Sequence, residues 1–442
     1  MKRVNTCIAV VILVLLIAHL SILSASFVTS QTLTSFGTIT SGGQPSGPNY
    51  VVYQSGGVNY VQDGSGSTVY SSSSVTSTFS KVFGLVASGG TITVQPGTYV
   101  ATGSVQMNNC VNVHLIFVDG AVLTIGDGLN CIVLYVKYST NCTLTNLTID
   151  GNGKNQNSAW VTDGIMLYDC SNVLVEDSTI TNCFRDGFAT CDDVAGNEPN
   201  GIVNSVITHC GWNGMTLGSG GEDTFGVYAI NNEVAYCSDV GITSYGLANR
   251  IIGNYIHDMN GTTNTKAHWA IGVEQNGYNL ISNNTILNVN VGLSVAPDTP
   301  SGSVVAKSNL IIYNTITNCA MAGISTSGDG YDIITRNTIN NWGTGYSFGI
   351  KEENGANNII TYNTLTSSSS DTTLGYPIYS SNTFNSSICY NTITTNIAAG
   401  ISGIFITGGT DNTLIEGNTI QAKTGITISG SSCDNNRVYQ NT

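Results

Sequence analysis

The stretch CFRDGFATCDD, Cys183 to Asp193, sets an arginine and three aspartates close together in a chain that is only 9% charged. Clustered carboxylates suit three kinds of chemistry. A pair can pass a proton to and from a reacting oxygen, several can hold a hard cation such as calcium, and any one can bond the amides of a turn. The surroundings sharpen the question, because residues 150–223 carry 11 of the 27 acidic residues. Asp163 in VTDGI and Asp186 in FRDGF each precede a glycine and a short β-run. Asn213 in GWNGM repeats the pattern without charge. If such runs stack as strands, Asp163 and Asp186 lie one rung apart, with backbones about 5 Å from each other. Two carboxylates at that distance cannot both ionise cheaply, so one keeps a proton or a cation enters.

Such a pair suits glycoside hydrolysis, in which one carboxyl protonates the leaving oxygen and the other activates water. Asp163, Asp186, Asp192 and Asp193 are the catalytic candidates. Arg185, Trp160, Trp212, Asn213 and Glu274 are the candidates for substrate binding, the rings for stacking on pyranose faces. Asp192, Asp193, Glu222 and Asp223 offer the several oxygens that calcium needs, which keeps a calcium-dependent lyase or epimerase open. Hydrolysis itself requires no cofactor. A structural reading stands beside these: Asp-Gly opens turns, and alternation from Ile165 points Asp163 inward, where it bonds turn amides. His209 and His268 carry no metal-ligand pattern.

The elements that must position these groups are short and repeated. Asn-x-Ile or a close variant returns at Asn232, Asn254, Asn284, Asn314, Asn337, Asn363, Asn391 and Asn418. A second series out of phase places a glycine after Asp163, Asp186, Asn213, Val240, Ile271, Val291, Ala322 and Phe348. Each repeat holds at least two strands, shows no helical periodicity, and buries its apolar face only when stacked. The expected fold is all-β, a right-handed single-stranded parallel β-helix. The repeated asparagine predicts a ladder of side-chain amides between rungs. Cys183, Cys210, Cys237 and Cys319 each follow a repeat's Ile or Val by three, which predicts an internal stack of small apolar groups rather than disulfides.

At the N-terminus, Lys2 and Arg3 precede the apolar run Ile8–Leu23 and the small residues Ser24, Ala25 and Ser26. Residues 1–30 therefore read as an export signal or an anchor, and the protein as secreted or surface-bound. A lead-in rich in Ser, Gly and Thr follows over 31–78, then the coil over 79–442, which stops in mid-rung. No other segment is apolar enough to cross a membrane. The net charge of −14 repels nucleic-acid phosphates, so the expected partner of a monomeric chain is a polysaccharide. A non-catalytic glycan-binding or adhesive rod is the remaining class.

Two stretches carry a resemblance. TFSKVFGLVASGGTITVQPGTYV, from Thr78, resembles the opening of pectate-lyase-like β-helix proteins of the pectin lyase superfamily, which implies a short helix capping the coil's N-terminal end. VTDGI, FRDGFA and GWNGMTLGSGG resemble the catalytic rungs of polygalacturonase-type glycoside hydrolases. That resemblance implies that Asp163 and Asp186 activate the attacking water. It also places Arg185 where the family keeps its proton donor, Asn213 where it keeps a histidine, and Gly241-Ile-Thr-Ser where it keeps Arg-x-Lys.

Overall fold

The computed structural model describes residues 47–157, 162–191, 199–219, 226–259, 268–275, 277–296, 308–328, 330–343, 347–367, 375–395, 402–430 and 432–442. The expected export segment, Trp160, Asp192, Asp193, Glu222 and Asp223 lie outside them. The described chain is a parallel β-solenoid. One face is a 17-stranded sheet, and the other two faces form a bent 24-stranded sheet. On a typical rung the first face is a three-residue strand such as Tyr228–Ile230, the second Glu233–Ala235 and the third Ile242–Ser244.

The stacking follows from one inward aliphatic per strand. On the second face Ile149, Ile180, Ile207, Val234 and Ile256 pair in register on successive rungs, all fully buried. Each removes its side chain from water for roughly 1.5–3 kcal/mol, and β-branching suits the pleat. No single rung could bury this column alone. Cohesion therefore comes from repetition.

The turn between first and second faces is held by the predicted asparagine ladder. Asn232, Asn254, Asn284, Asn314, Asn337, Asn363, Asn391 and Asn418 each donate from Nδ2 to Oδ1 of the next asparagine, the last to Asn441, at 2.8–3.0 Å. The same Oδ1 accepts the preceding rung's backbone N–H, as Asn314 does from Asn284 at 3.0 Å. The buried amides of a tight turn are thereby paired without water.

The N-terminal end opens with three antiparallel strands, Asn49–Ser55, Val58–Asp63 and Thr68–Ser72. Gly56 and Gly57, both at positive φ, make the two-residue turn between the first pair. The helix Val75–Val86 follows, N-capped by the Ser74 hydroxyl, which accepts from the Ser77 N–H. It buries Phe79, Val82, Phe83 and Val86 in the core, so it caps the coil as the resemblance implied. Among the described residues no helix is long and apolar enough to cross a membrane.

The third face corrects one sequence alignment. Ile271-Gly272 is not a member of the glycine series, because Ile271 pairs with Ile242 and Leu293 while Trp269 pairs with Val291. Trp269 and Ala270 therefore hold the places that Asp186 and Gly187 hold three rungs earlier. The cysteine stack is as expected: Cys183, Cys210, Cys237 and Cys319 are buried free thiols.

Candidate functional site

The glycine of each Asp-Gly pair is dictated by rung packing. A Cβ on Gly187 would stand 2.5 Å from Ile207 Cγ2 and 2.8 Å from the Gly214 carbonyl oxygen, closer than atoms pack. The fold thus explains the glycine but leaves the preceding residue to be explained. That residue runs Asp163, Asp186, Asn213, Val240, Trp269, Val291, Ala322, Phe348 on successive rungs, polar at one end and apolar at the other.

The polar three form a ladder of their own. Asp163 Oδ1 accepts the Asp186 N–H at 3.2 Å, Asp186 Oδ1 accepts the Asn213 N–H at 3.1 Å, and Asn213 Oδ1 accepts the Val240 N–H at 3.2 Å. Both aspartates are fully buried. So the structural reading of the Asp-Gly turn holds for one oxygen of each. Their second oxygens are placed differently. Asp186 Oδ2 accepts the Thr216 hydroxyl at 2.8 Å, and Thr216 in turn accepts from Asn213 Nδ2 at 3.1 Å. Asp163 Oδ2 is buried with no hydrogen-bond partner among the described residues.

Arg185 joins the pair. Its Nε lies 4.0 Å from Asp163 Oδ1 and 3.8 Å from Asp186 Oδ2, and its guanidinium sits over the Trp212 ring, 5.5 Å from the centroid. The two aspartates remain hard to ionise despite it. Burial first, then the neighbouring Asp186 charge, pushes the Asp163 carboxyl up from 3.8 to about 7, with Arg185 opposing. Asp186 is also raised, by burial, against the pull of Arg185 and the Thr216 hydroxyl. The two share a buried site, so the proton belongs to the pair.

A second row runs beside this ladder and meets solvent. Backbone bonds from Arg185 to Thr162, from Trp212 to Arg185 and from Asp239 to Trp212 put these residues in line. His268 follows, its Nδ1 3.0 Å from the Ser238 carbonyl oxygen. Arg185, Trp212 and Asp239 are half-buried, and the charge of Asp239 further disfavours ionisation of Asp186. Sequence reasoning missed Asp239 and Thr216. Counting back three residues from the strand isoleucine Ile242 would have found Asp239 beside Trp212, and alternation along Met215–Ser219 would have turned Thr216 outward beside Asp186. A bulge between this strand and Phe188–Cys191, with Gly218 N–H on the Thr190 hydroxyl at 2.9 Å, adds the kind of irregularity common beside active sites.

The structure therefore brings Asp163, Arg185, Asp186, Trp212 and Asn213 together. Glu274 does not join them. It does not project to solvent as a surface extension, being 8% exposed and accepting the Tyr245 hydroxyl at 2.9 Å. Beyond Val240 the ladder row becomes a small apolar cluster, with Val291, Ala322, Phe348 and Tyr379 buried and Trp269 packed against them.

A family model for the right-handed β-helix region matches residues 133–249 and 269–442. No curated protein sequence matches the chain. Among solved structures, the A-module of the Azotobacter vinelandii mannuronan C-5 epimerase AlgE6 is similar at a TM-score of 0.55 and 16% identity, covering 82% of this chain and 94% of its own. The catalytic unit of a Streptomyces thermodiastaticus GH87 α-1,3-glucanase is similar at 0.46 and 11%, over 82% and 65%. The Dettilon tailspike protein follows at 0.40 and 15%, over 89% and 66%. At these identities the likeness is one of fold.

Proposed function

Because the chain belongs to the right-handed β-helix region family, with a pectin-lyase-like fold, we propose that its polar turn row is a carbohydrate site that hydrolyses glycosidic bonds of an extracellular polysaccharide. One observation carries this reading. The ladder bond needs only an amide oxygen, as Asn213 demonstrates on the third rung, yet two rungs hold buried carboxylates that resist ionisation. Elsewhere the coil meets this demand mostly with asparagine, and once with the single buried carboxyl of Asp332; what sets this row apart is two carboxyls on consecutive rungs beside an arginine. Stability given up at one place is a mark of function.

The roles follow from position. Trp212 offers a ring for a pyranose, and Arg185 fixes hydroxyl or carboxylate groups while lying between the two acids. The Asp163–Asp186 pair holds a proton near neutral pH, where a general acid needs it. Asp239, half-exposed on the adjacent row, supplies the second carboxylate that hydrolysis requires. Calcium and the segments carrying Asp192, Asp193, Glu222 and Asp223 belong to the second reading, a polyuronate lyase or epimerase. The fold shared with a mannuronan C-5 epimerase favours keeping it.

The test is a panel of neutral and acidic polysaccharides, with and without calcium, following both reducing ends and unsaturated uronate absorbance. Asp186→Asn and Asp239→Asn should each lower release of reducing ends by about 10²–10⁴-fold with the fold intact. Unsaturated product that requires calcium would transfer the site to the lyases. No product from any glycan would leave the non-catalytic rod as the better account.

A further inference from the structure

The second face divides into two halves that pack alike and carry different surfaces. Its first outward column runs Thr179, Val206, Glu233 and Tyr255 on successive rungs. From there it runs Thr285, Thr315, Thr338, Thr364, Thr392 and Thr419, each in register with the next. The pleat favours β-branched residues at such positions. Yet the earlier rungs place valine, glutamate and tyrosine there without a break in register. Six consecutive threonines are more than the coil requires.

A second outward column stands two residues on. It carries Thr317, Asn340, Thr366 and Thr394 on consecutive rungs, bounded by Leu287 before and Gln421 after. Between the columns Ile316, Ile339, Leu365 and Ile393 turn inward and are buried. The result is a grid of hydroxyls and methyls. It repeats every ~4.8 Å along the coil axis and about 6.6 Å across it, two residues of parallel strand. Threonine is stiff at χ1, so the backbone fixes where these groups stand. The exposed amides of Asn288, Asn318 and Asn341 border the grid, Asn318 Nδ2 donating to Asn288 Oδ1 at 3.1 Å.

Charge and ring geometry narrow the occupant. The six strands, from Thr285–Leu287 to Thr419–Gln421, contain no Asp, Glu, Lys or Arg in a chain of net charge −14. The described turns beside them add Arg336 at one edge, with Glu416 and Lys423 only at the last rung. An ionic polymer or a mineral face therefore finds no row of charges to pair with. The exposed rings at the edge, Tyr362 and Tyr390, stack on each other at 5.3 Å with planes 14° apart. They face one another and form no flat platform for a sugar. The surface that remains is neutral, regular in two directions, and offers a hydroxyl and a methyl at nearly every point.

We propose that this grid is an ice-binding face. The oxygens of hexagonal ice repeat in two directions at spacings close to those of the grid. A sheet of water can therefore bond to successive hydroxyls, be ordered between them over the methyls, and continue as lattice. Each hydroxyl alone contributes little, because it exchanges one water for another. Attachment comes from many fixed points acting together. None of the carboxyl-row residues takes part, so this activity is independent of the functional reading above.

Slow growth of ice on a cold finger in dilute protein, with albumin as the excluded control, tests the face. Crystal shape in nanolitre droplets is the second readout. The comparison protein carries Thr364→Glu with Thr392→Tyr, residues this column already holds at Glu233 and Tyr255. Wild type should enter the ice at least tenfold more than albumin and facet the crystals. The double variant should be excluded as albumin is, with an unchanged circular dichroism spectrum and melting temperature. Tyr331→Asn, at an exposed left-handed position on the first face, should enter as wild type does. Exclusion of wild type from ice, or equal entry of the double variant, would overturn the proposal. Retention of wild type on crystalline cellulose or chitin, with exclusion from ice, would overturn it too and assign the grid to a solid polysaccharide.

Discussion

Two ladders in this coil make the same bond with different chemistry. In the main ladder, asparagines from Asn232 to Asn441 accept the neighbouring rung's N–H with an amide oxygen and return a hydrogen bond through Nδ2. In the row at Asp163 and Asp186 the accepting oxygen belongs to a carboxyl, nothing is donated back, and an arginine lies alongside. Amide ladders are electrically neutral and satisfied. The carboxyl ladder is strained electrostatically and, at Asp163 Oδ2, unsatisfied among the described residues. The difference separates what the fold needs from what has been added to it.

The largest effect should come from breaking the main ladder. Asn314→Leu leaves the Asn284 backbone N–H and Nδ2 facing an apolar side chain, and the Ile281 carbonyl without its donor from Asn314. Buried groups left unpaired cost about 1–3 kcal/mol each, so a loss of about 3–4 kcal/mol is expected in guanidinium unfolding. A loss below 1 kcal/mol would mean that apolar stacking alone holds the turn.

The coil was legible in the sequence because its signal is repetition. Eight asparagines at one turn and an aliphatic two residues on leave few alternatives to stacked rungs, and the cysteine stack followed from the same period. The site was legible only in part. Asp163, Asp186 and Arg185 were found through charge in a charge-poor chain. Their burial and shared hydrogen-bond ladder could not be weighed without knowing which way the turn faces. Asp239 stayed hidden because its neighbour Val240 reads as an apolar member of the series. Ile271-Gly272 misled for the opposite reason: the dipeptide has the right composition two residues out of register.

Asp163→Asn tests the electrostatic half of the comparison. The carboxyl is raised from 3.8 to about 7, so the folded state binds more protons than the unfolded state between those values. Its contribution is fully present below pH 3.8 and lost as pH rises to about 7, with a slope of at most ~1.4 kcal/mol per pH unit. Asparagine keeps the Oδ1 acceptor and removes the titration. The stability difference, variant minus wild type, should therefore move in favour of the variant by about 1–3 kcal/mol between pH 4 and 7, the proton being shared with Asp186. A pH-independent difference would show that the carboxyl ionises as freely when folded as when unfolded, and would remove the argument that the row gives up stability.

The smallest effect tests whether the carboxyl row is also the looser one. Cys183, Cys210 and Cys237 stack directly beneath it, a Cβ on Gly187 standing only 3.0 Å from Cys210 Sγ. Hydrogen bonding between the stacked thiols, with burial, holds Cys210 and Cys237 well above the ordinary thiol range, so the native protein offers no thiolate there at pH 8. Labelling with a thiol reagent should reach the half-buried Cys131, Cys191 and Cys433 first and Cys210 only at the rate of global unfolding. Cys210→Ala should cost about 1 kcal/mol, the loss of one small buried group. If Cys210 were instead labelled much faster than the protein unfolds, the rung bearing Asp186 would be opening on its own. The carboxyl ladder would then be a local weak point as well as a charged one, and the proton on the Asp163–Asp186 pair would have a route to solvent that the closed structure does not display.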